Sequence, residues 1–149
     1  MTSTRTARSL LRLMVAVGSA AAVAALSCSG ARDRFPIEIT QARIAEGRRL
    51  YLAQCASCHG TPDSPPPLPA APPHTIDGHT WHHADRDLFD WVLDRPPLAT
   101  QMPSFRGVLT EDEVVAVLAY IKSTWPPDVR ERQTQFSEAY ERQLEGMNR

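Results

Sequence analysis

Apolar residues recur at the spacing of an α-helix in the second half of the chain, and the clearest run follows Thr110. Its apolar positions repeat at i, i+3, i+4 and i+7 and are Val114, Val117, Leu118 and Ile121. Thr110 and Glu113 have the spacing of a capping box, and Leu109 before the cap is placed for a hydrophobic staple. Since prolines do not continue a helix, Pro126 and Pro127 mark its end.

Two weaker helical segments precede this one. Between about Thr40 and Ala53, one face carries Ile44, Gly47 and Tyr51. A glycine inside a helix is costly unless another helix packs closely against it, so Gly47 is a candidate helix contact. A shorter helix is predicted from about Arg86 to Asp94, with Leu88, Trp91 and Val92 on one face. No segment has the period of a strand, so we predict an all-α fold.

The first 27 residues are typical of a signal peptide. Arg5, Arg8 and Arg12 precede the apolar stretch from Leu13 to Leu26, and no acidic residue occurs before Asp33. The stretch of about 14 residues is shorter than the roughly 20 of a transmembrane helix, although a retained membrane anchor is the alternative. The rest of the chain carries 13 basic and 17 acidic residues. This balance argues against nucleic-acid binding and favours a basic partner.

Cys28 follows small residues at the point where the signal would be cleaved. The sequence Ala25-Leu26-Ser27-Cys28 resembles a bacterial lipoprotein cleavage site, with its leucine one position later than usual. We therefore expect Cys28 to be lipidated and to anchor the protein at the outer face of a membrane or in the periplasm. The alternative is plain cleavage of the signal. Residues 28–38, with mixed charge and Pro36, are predicted to form a tether.

Residues 55–59 read Cys-Ala-Ser-Cys-His, the attachment signature of c-type haem. Each cysteine sulfur adds to one haem vinyl group, and the adjacent His59 is placed to ligate the iron. A thioredoxin-like redox pair and half of a zinc site are weaker alternatives. A zinc site lacks a second Cys-x-x-Cys, and no βαβ pattern surrounds the motif. We therefore predict one covalent haem c held by Cys55, Cys58 and His59.

Met102 is the candidate for the second axial ligand. It stands in Gln101-Met102-Pro103-Ser104-Phe105, between two helical segments, where Pro103 restricts the backbone. His/Met ligation raises the reduction potential, which suits an electron carrier. The alternative is that a histidine ligates instead, and the chain offers His74, His79, His82 and His83.

Taken together, Gly47-x-x-x-Tyr51, Cys55-x-x-Cys58-His59, Met102-Pro103-x-Phe105 and the closing helix through Tyr120 resemble class I c-type cytochromes, which are monohaem and His/Met-ligated. The resemblance covers about residues 40–126. It implies a cytochrome c-like fold of three to four helices, with the Gly47/Tyr51 face against the region of Val117 and Ile121. It also implies an exposed haem edge for electron transfer.

The implied function is a one-electron carrier, not an enzyme, that meets a redox protein donor and acceptor. One alternative is a haem subunit docked in a larger oxidoreductase complex. Another is a ligand-binding or peroxidatic haem protein, if the sixth position is open.

The chain departs from the simplest family members between the two axial ligands. Residues 62–73 contain seven prolines. The family uses a proline carbonyl to accept the N–H of the proximal histidine, and several prolines here could serve. In the segment 78–83, Trp81 is a candidate contact of a haem propionate. The nearby His79, His82 and His83 form either a polar loop or a second metal site.

The chain continues past the closing helix. Asp128 and Glu131 can cap a last helix, in which Phe136, Tyr140 and Leu144 follow one another at i+4 steps. This apolar stripe predicts a helix that folds back on the haem domain, with cover by a partner protein as the alternative. The predicted divisions are a signal peptide (1–27), a tether (28–38), a cytochrome c domain (39–126) and a helical extension (127–149).

Overall fold

The computed structural model describes residues 34–149, so the predicted signal peptide and Cys28 lie outside the described residues. Five α-helices follow one another in this part: α1 (Gln41–Gln54), α2 (Ala56–His59), α3 (Asp85–Asp94), α4 (Glu111–Ser123) and α5 (Pro127–Met147). A 3-10 turn spans Thr80–His82. These residues contain no strand beyond two isolated bridges, which confirms the predicted all-α fold. None of their helices is long and apolar enough to cross a membrane.

Helices α1 and α4 cross in close contact at Gly47. A Cβ atom at this position would lie 1.9 Å from the carbonyl oxygen of Ala116 and 2.9 Å from the Cβ of Tyr120. The rings of Tyr51 and Tyr120 pack with their centroids 5.3 Å apart. The predicted crossing is confirmed, but its contacts on α4 are Ala116 and Tyr120 rather than Val117 and Ile121. The latter two residues face a cavity on the neighbouring side of α4.

The start of α4 is fixed by the predicted capping box. The Thr110 hydroxyl accepts the Glu113 N–H at 3.3 Å, and the Thr110 N–H donates to Oε2 of Glu113 at 2.8 Å. Leu109 and Val114 on either side of the cap are both buried. Because the cap satisfies N–H groups that have no partner within the helix, it defines where α4 begins.

A buried polar cluster joins α3, α4 and α5. Lys122 on α4 donates to both carboxylate oxygens of Asp85, at 2.8 and 2.7 Å. From α5, the Gln133 amide donates to Asp85 Oδ1 at 2.8 Å, and the Ser137 hydroxyl accepts the Asp85 N–H at 3.0 Å. The cluster therefore attaches α5 to the helical core through hydrogen bonds.

The packing of α5 corrects the predicted stripe. The helix does fold back on the domain, but its buried face consists of Val129, Gln133 and Ser137. Phe136 remains 47% exposed. Tyr140 and Leu144 of the predicted stripe are half-buried, and the Tyr140 hydroxyl donates to Asp87 on α3 at 3.0 Å. Polar residues share the buried face because α5 meets polar groups at the start of α3.

The end of the predicted tether also needs correction. Phe35 and Ile37 are buried in the hydrophobic core, and the Ile37 N–H donates to Asp85 Oδ2 at 2.7 Å. Arg34 pairs with Glu111 at 2.6 Å. Residues 34–37 are therefore part of the domain, because alternating apolar side chains bury here beside a carboxylate that needs donors.

Candidate haem site

A cavity of about 400 Å³ opens between α3, α4 and the loops that follow α2 and α3. Much of its wall is apolar and includes Leu88, Trp91, Phe105, Val117 and Leu118. Cys55, Cys58, His59 and Met102 also line it. The fold thus brings the two predicted attachment cysteines and both predicted axial ligands to one cavity.

The last four residues of the Cys-x-x-Cys-His motif form the short helix α2, and Cys55 joins this helix to α1. Cys55 and Cys58 are free thiols, both half-buried at the cavity. Burial raises the pKa of Cys55 to about 11, so this side chain is a neutral thiol at ordinary pH. Gly60 then reverses the chain with a φ of +70°, and a Cβ there would lie 2.5 Å from the carbonyl oxygen of Ser64. This glycine lets the proline-rich loop fold back beside the motif.

The His59 ring is oriented by a single backbone carbonyl. Its Nδ1 lies 2.8 Å from the carbonyl oxygen of Pro72, which identifies the accepting proline among the seven candidates. A carbonyl can only accept, so Nδ1 carries the proton and Nε2 keeps a free lone pair. Burial lowers the pKa of His59, opposed by the bond to Pro72, which favours the neutral imidazole that a metal requires.

His74 packs against one face of the His59 ring, a contact that the sequence did not reveal. The two rings stack with centroids 4.1 Å apart, and His74 Nδ1 lies 2.8 Å from the Thr80 hydroxyl. The Trp125 indole donates to the His74 carbonyl at 2.8 Å. Burial, with His59 and His79 nearby, lowers the pKa of His74 to about 3. It therefore packs beside His59 as a neutral ring.

Met102 lies on a loop that is fastened to the end of α3. The Phe105 N–H donates to the Val92 carbonyl at 3.2 Å, and the Ser104 hydroxyl donates to the carbonyl of Leu93. Phe105 is buried, and Met102 is half-buried against the core. These contacts place the thioether-bearing residue in the cavity wall on a braced loop.

Trp81 and the three nearby histidines divide between two environments. The Trp81 N–H donates to the carbonyls of Ile76 and Gly78, at 3.3 and 3.1 Å, and its ring packs on His82. Trp81 is absent from the cavity wall, whereas His79 and His83 belong to it. This geometry favours a bracing role for the indole N–H, and the propionate contact of Trp81 stays a prediction. Within residues 34–149, no three His, Cys, Asp or Glu side chains gather to hold a second metal ion.

These residues fit a covalent haem. The donor set combines two free thiols, one just before and one within the short helix α2, with an imidazole that has a free nitrogen and a thioether on the wall of the same cavity. Thiolate, imidazole and thioether groups are the protein ligands and attachment points that haem iron proteins use. The largely apolar wall suits a macrocycle, and the protein contributes orientation and shielding from water.

An all-α domain that presents this donor set at an apolar cavity is a c-type cytochrome domain. Residues 42–121 match the family described as "Cytochrome C oxidase, cbb3-type, subunit III", and the chain belongs to this family. Cytochrome c domains carry haem c and serve as electron-transfer modules, as the sequence predicts.

Two curated relatives each match somewhat more than half of the chain. This chain is 29% identical over 90 residues to the quinohemoprotein alcohol dehydrogenase of Comamonas testosteroni. That match covers 59% of this chain and 12% of the relative. The chain is 31% identical over 83 residues to the 1-butanol dehydrogenase (cytochrome c) of Thauera butanivorans, covering 54% of this chain and 11% of the relative. The match thus spans only 11–12% of the length of these relatives. No solved structure matches this chain significantly.

Proposed function

We propose that this protein is an exported one-electron carrier with one covalent haem c, attached at Cys55 and Cys58 and ligated axially by His59 and Met102. The observation that carries the proposal is the meeting of all four side chains at one cavity, with Nδ1 of His59 already committed to the Pro72 carbonyl. When bound, the haem supplies an iron that alternates between the ferric and ferrous states.

The chain's own groups have separate tasks in this proposal. The Pro72 carbonyl holds the His59 ring and increases its basicity as a ligand. The His74 ring, stacked on one face of the His59 ring, restricts the movement of His59. Met102, on the braced loop, would supply the sixth ligand, and apolar residues such as Leu118 and Phe105 would keep water out. With both axial positions filled, little rearrangement would accompany the change of oxidation state.

An optical spectrum of the purified holoprotein tests the proposal. We expect a low-spin spectrum, a sulfur-to-iron charge-transfer band in the ferric state, and no change of the ferrous spectrum with carbon monoxide. A haem stain that survives denaturation would show covalent attachment. A high-spin spectrum that shifts with carbon monoxide would contradict the filled sixth position and favour a ligand-binding or peroxidatic protein.

The proposed place of action is the outer face of a membrane, through a lipid on Cys28. The basic and apolar pattern of residues 1–27 supports export, and the cysteine follows it directly. One acyl chain binds a membrane only marginally, so stable anchoring needs more than one. Labelling of growing cells with radioactive palmitate should mark the wild-type protein and leave the Cys28→Ser variant unlabelled. Equal labelling of both proteins would exclude Cys28 as the site.

A second candidate is a haem subunit that takes electrons from a dehydrogenase. Both relatives are alcohol dehydrogenases of which this chain matches a small part, which favours a redox partner of that class. Rapid mixing of the oxidised protein with a quinoprotein alcohol dehydrogenase and its alcohol would test this. Reduction that saturates with dehydrogenase concentration supports the candidate, and reduction no faster than with alcohol alone excludes it.

A further inference from the structure

The wall of the haem cavity has an unusual charge composition. None of the described residues that line it is a lysine or an arginine. Haem carries two propionate carboxylates, and a carboxylate that leaves water needs hydrogen-bond donors or a positive partner. Because no Lys or Arg is among the described lining residues, donors for a buried propionate come from the other polar groups of the wall.

Four histidines line the cavity, and two of them are already committed. His59 uses Nδ1 on the Pro72 carbonyl and is the proposed iron ligand, while His74 is bonded to Thr80 and stacks on His59. The remaining two are His79, which is exposed, and His83, which is half-buried. Neither of their rings makes a hydrogen bond to another protein group between residues 34 and 149, so their ring nitrogens are available.

We propose that His79 and His83 form the carboxylate-binding end of the haem cavity and receive the haem propionates. The proposal rests on the proposed function, because it requires a haem in this cavity. It assigns to these two residues the donor role that arginine or lysine side chains fill at other carboxylate sites.

The backbone holds the two rings as a pair. Their centroids lie 5.6 Å apart across the 3-10 turn Thr80–His82. The His83 ring meets Trp91 edge to face at 4.7 Å, and its carbonyl accepts the Gln133 amide at 3.1 Å. The His79 carbonyl accepts the His82 N–H at 3.0 Å. The pair is therefore positioned by α3, α5 and the turn before any carboxylate binds.

A histidine–propionate pair couples electron transfer to proton uptake. Reduction removes one positive charge from the iron, which favours a proton on a nearby imidazole. Burial, followed by His79 and His82, lowers the pKa of His83, and Asp87 on α3 opposes this shift. Gln133 on α5 is uncharged. The reduction equilibrium should therefore favour the ferrous protein more at low pH than at high pH.

The test compares the holoproteins of the wild type, a His79→Gln/His83→Gln double variant and the His82→Gln control. His82 is the matched control because it shares the turn but packs on Trp81 outside the cavity wall. Reduction potentials are measured from pH 5 to 9, and carboxylate bands are followed in reduced-minus-oxidised infrared difference spectra.

For the wild type and His82→Gln, we expect the reduction equilibrium constant to fall with rising pH, by up to about tenfold per pH unit in the steepest region. In the double variant, that dependence should disappear and the carboxylate bands should move. A double variant with wild-type pH dependence and unchanged bands would overturn the proposal. If the double variant does not acquire haem, the single variants His79→Gln and His83→Gln are measured instead. In each of them, the pH range over which the reduction equilibrium constant changes should shift.

The two proposals fail in different ways. Absence of covalent haem from the wild-type protein would overturn the proposed function and this inference together. Covalent haem with a pH dependence that survives loss of both histidines would overturn the inference alone.

Discussion

The Nζ atom of Lys122 lies 2.7 Å from Oδ2 of Asp85, and both side chains are 0% exposed. The pair links α4 to the first residue of α3, and the Ile37 N–H and the Gln133 amide complete the shell of Asp85. Burying two charges is costly unless their geometry is good and the remaining polar atoms are satisfied. Here one carboxylate organises four segments of the chain, which explains why α5 and residues 34–37 belong to the domain.

Replacing Lys122 by methionine should strongly destabilise the holoprotein. The variant leaves the Asp85 carboxylate buried without its positive partner, which costs about 3–5 kcal/mol in the free energy of unfolding. Denaturant unfolding followed by circular dichroism measures this loss. The control is Arg132→Met, which breaks an exposed pair with Asp128 and should cost less than about 1 kcal/mol. Similar losses in the two variants would contradict the role assigned to the buried pair.

A buried and an exposed position of α5 should respond differently to substitution. Gln133→Leu removes the amide that donates to Asp85 and to the His83 carbonyl, with an expected cost of about 1–3 kcal/mol. Phe136→Ser changes a side chain that is 47% exposed at the edge of the buried face and should stay within about 0.5 kcal/mol of the wild type. Thermal unfolding of both holoproteins checks the contrast. A larger loss for Phe136→Ser would restore the apolar stripe as the packing face.

The sequence predicted the helices because their signals are local. The Thr110/Glu113 box and the apolar period behind it depend only on neighbours along the chain, and the start of α4 follows from them. The inner face of α5 could not be predicted in this way. Gln133 and Ser137 are buried because Asp85, about 50 residues earlier, offers polar partners, and an apolar period cannot detect such a face.

In the candidate site, too, local features could be predicted from the sequence and contacts between distant residues could not. Cys55, Cys58 and His59 are adjacent in the motif, so their joint chemistry is readable from the sequence. Choosing Pro72 among seven prolines requires the path of the loop, which depends on the reversal at Gly60. The support from His74 is equally non-local, since it depends on Thr80 and Trp125 in different parts of the chain.

A methyl group at Gly47 should separate α1 from α4. Gly47→Ala places a Cβ 1.9 Å from the Ala116 carbonyl oxygen, so the helices must shift, at a cost of about 1–3 kcal/mol. Gly146→Ala is the matched control, because no atom lies within 4 Å of its new Cβ on α5. It should stabilise by up to about 1 kcal/mol. Denaturant unfolding of the two holoproteins gives the comparison, and a neutral Gly47→Ala would show that the crossing tolerates the methyl group.

Replacing Met102 by alanine should open the sixth position of the iron without releasing the haem. Attachment depends on Cys55 and Cys58, so the haem stain of the denatured variant should equal that of the wild type. Loss of the thioether should abolish the sulfur-to-iron charge-transfer band, let carbon monoxide bind the ferrous form, and lower the reduction potential. Met147→Ala is the control, because Met147 is 66% exposed near the end of α5. An unchanged spectrum for Met102→Ala would mean that another side chain of the cavity wall, such as His79 or His83, ligates the iron.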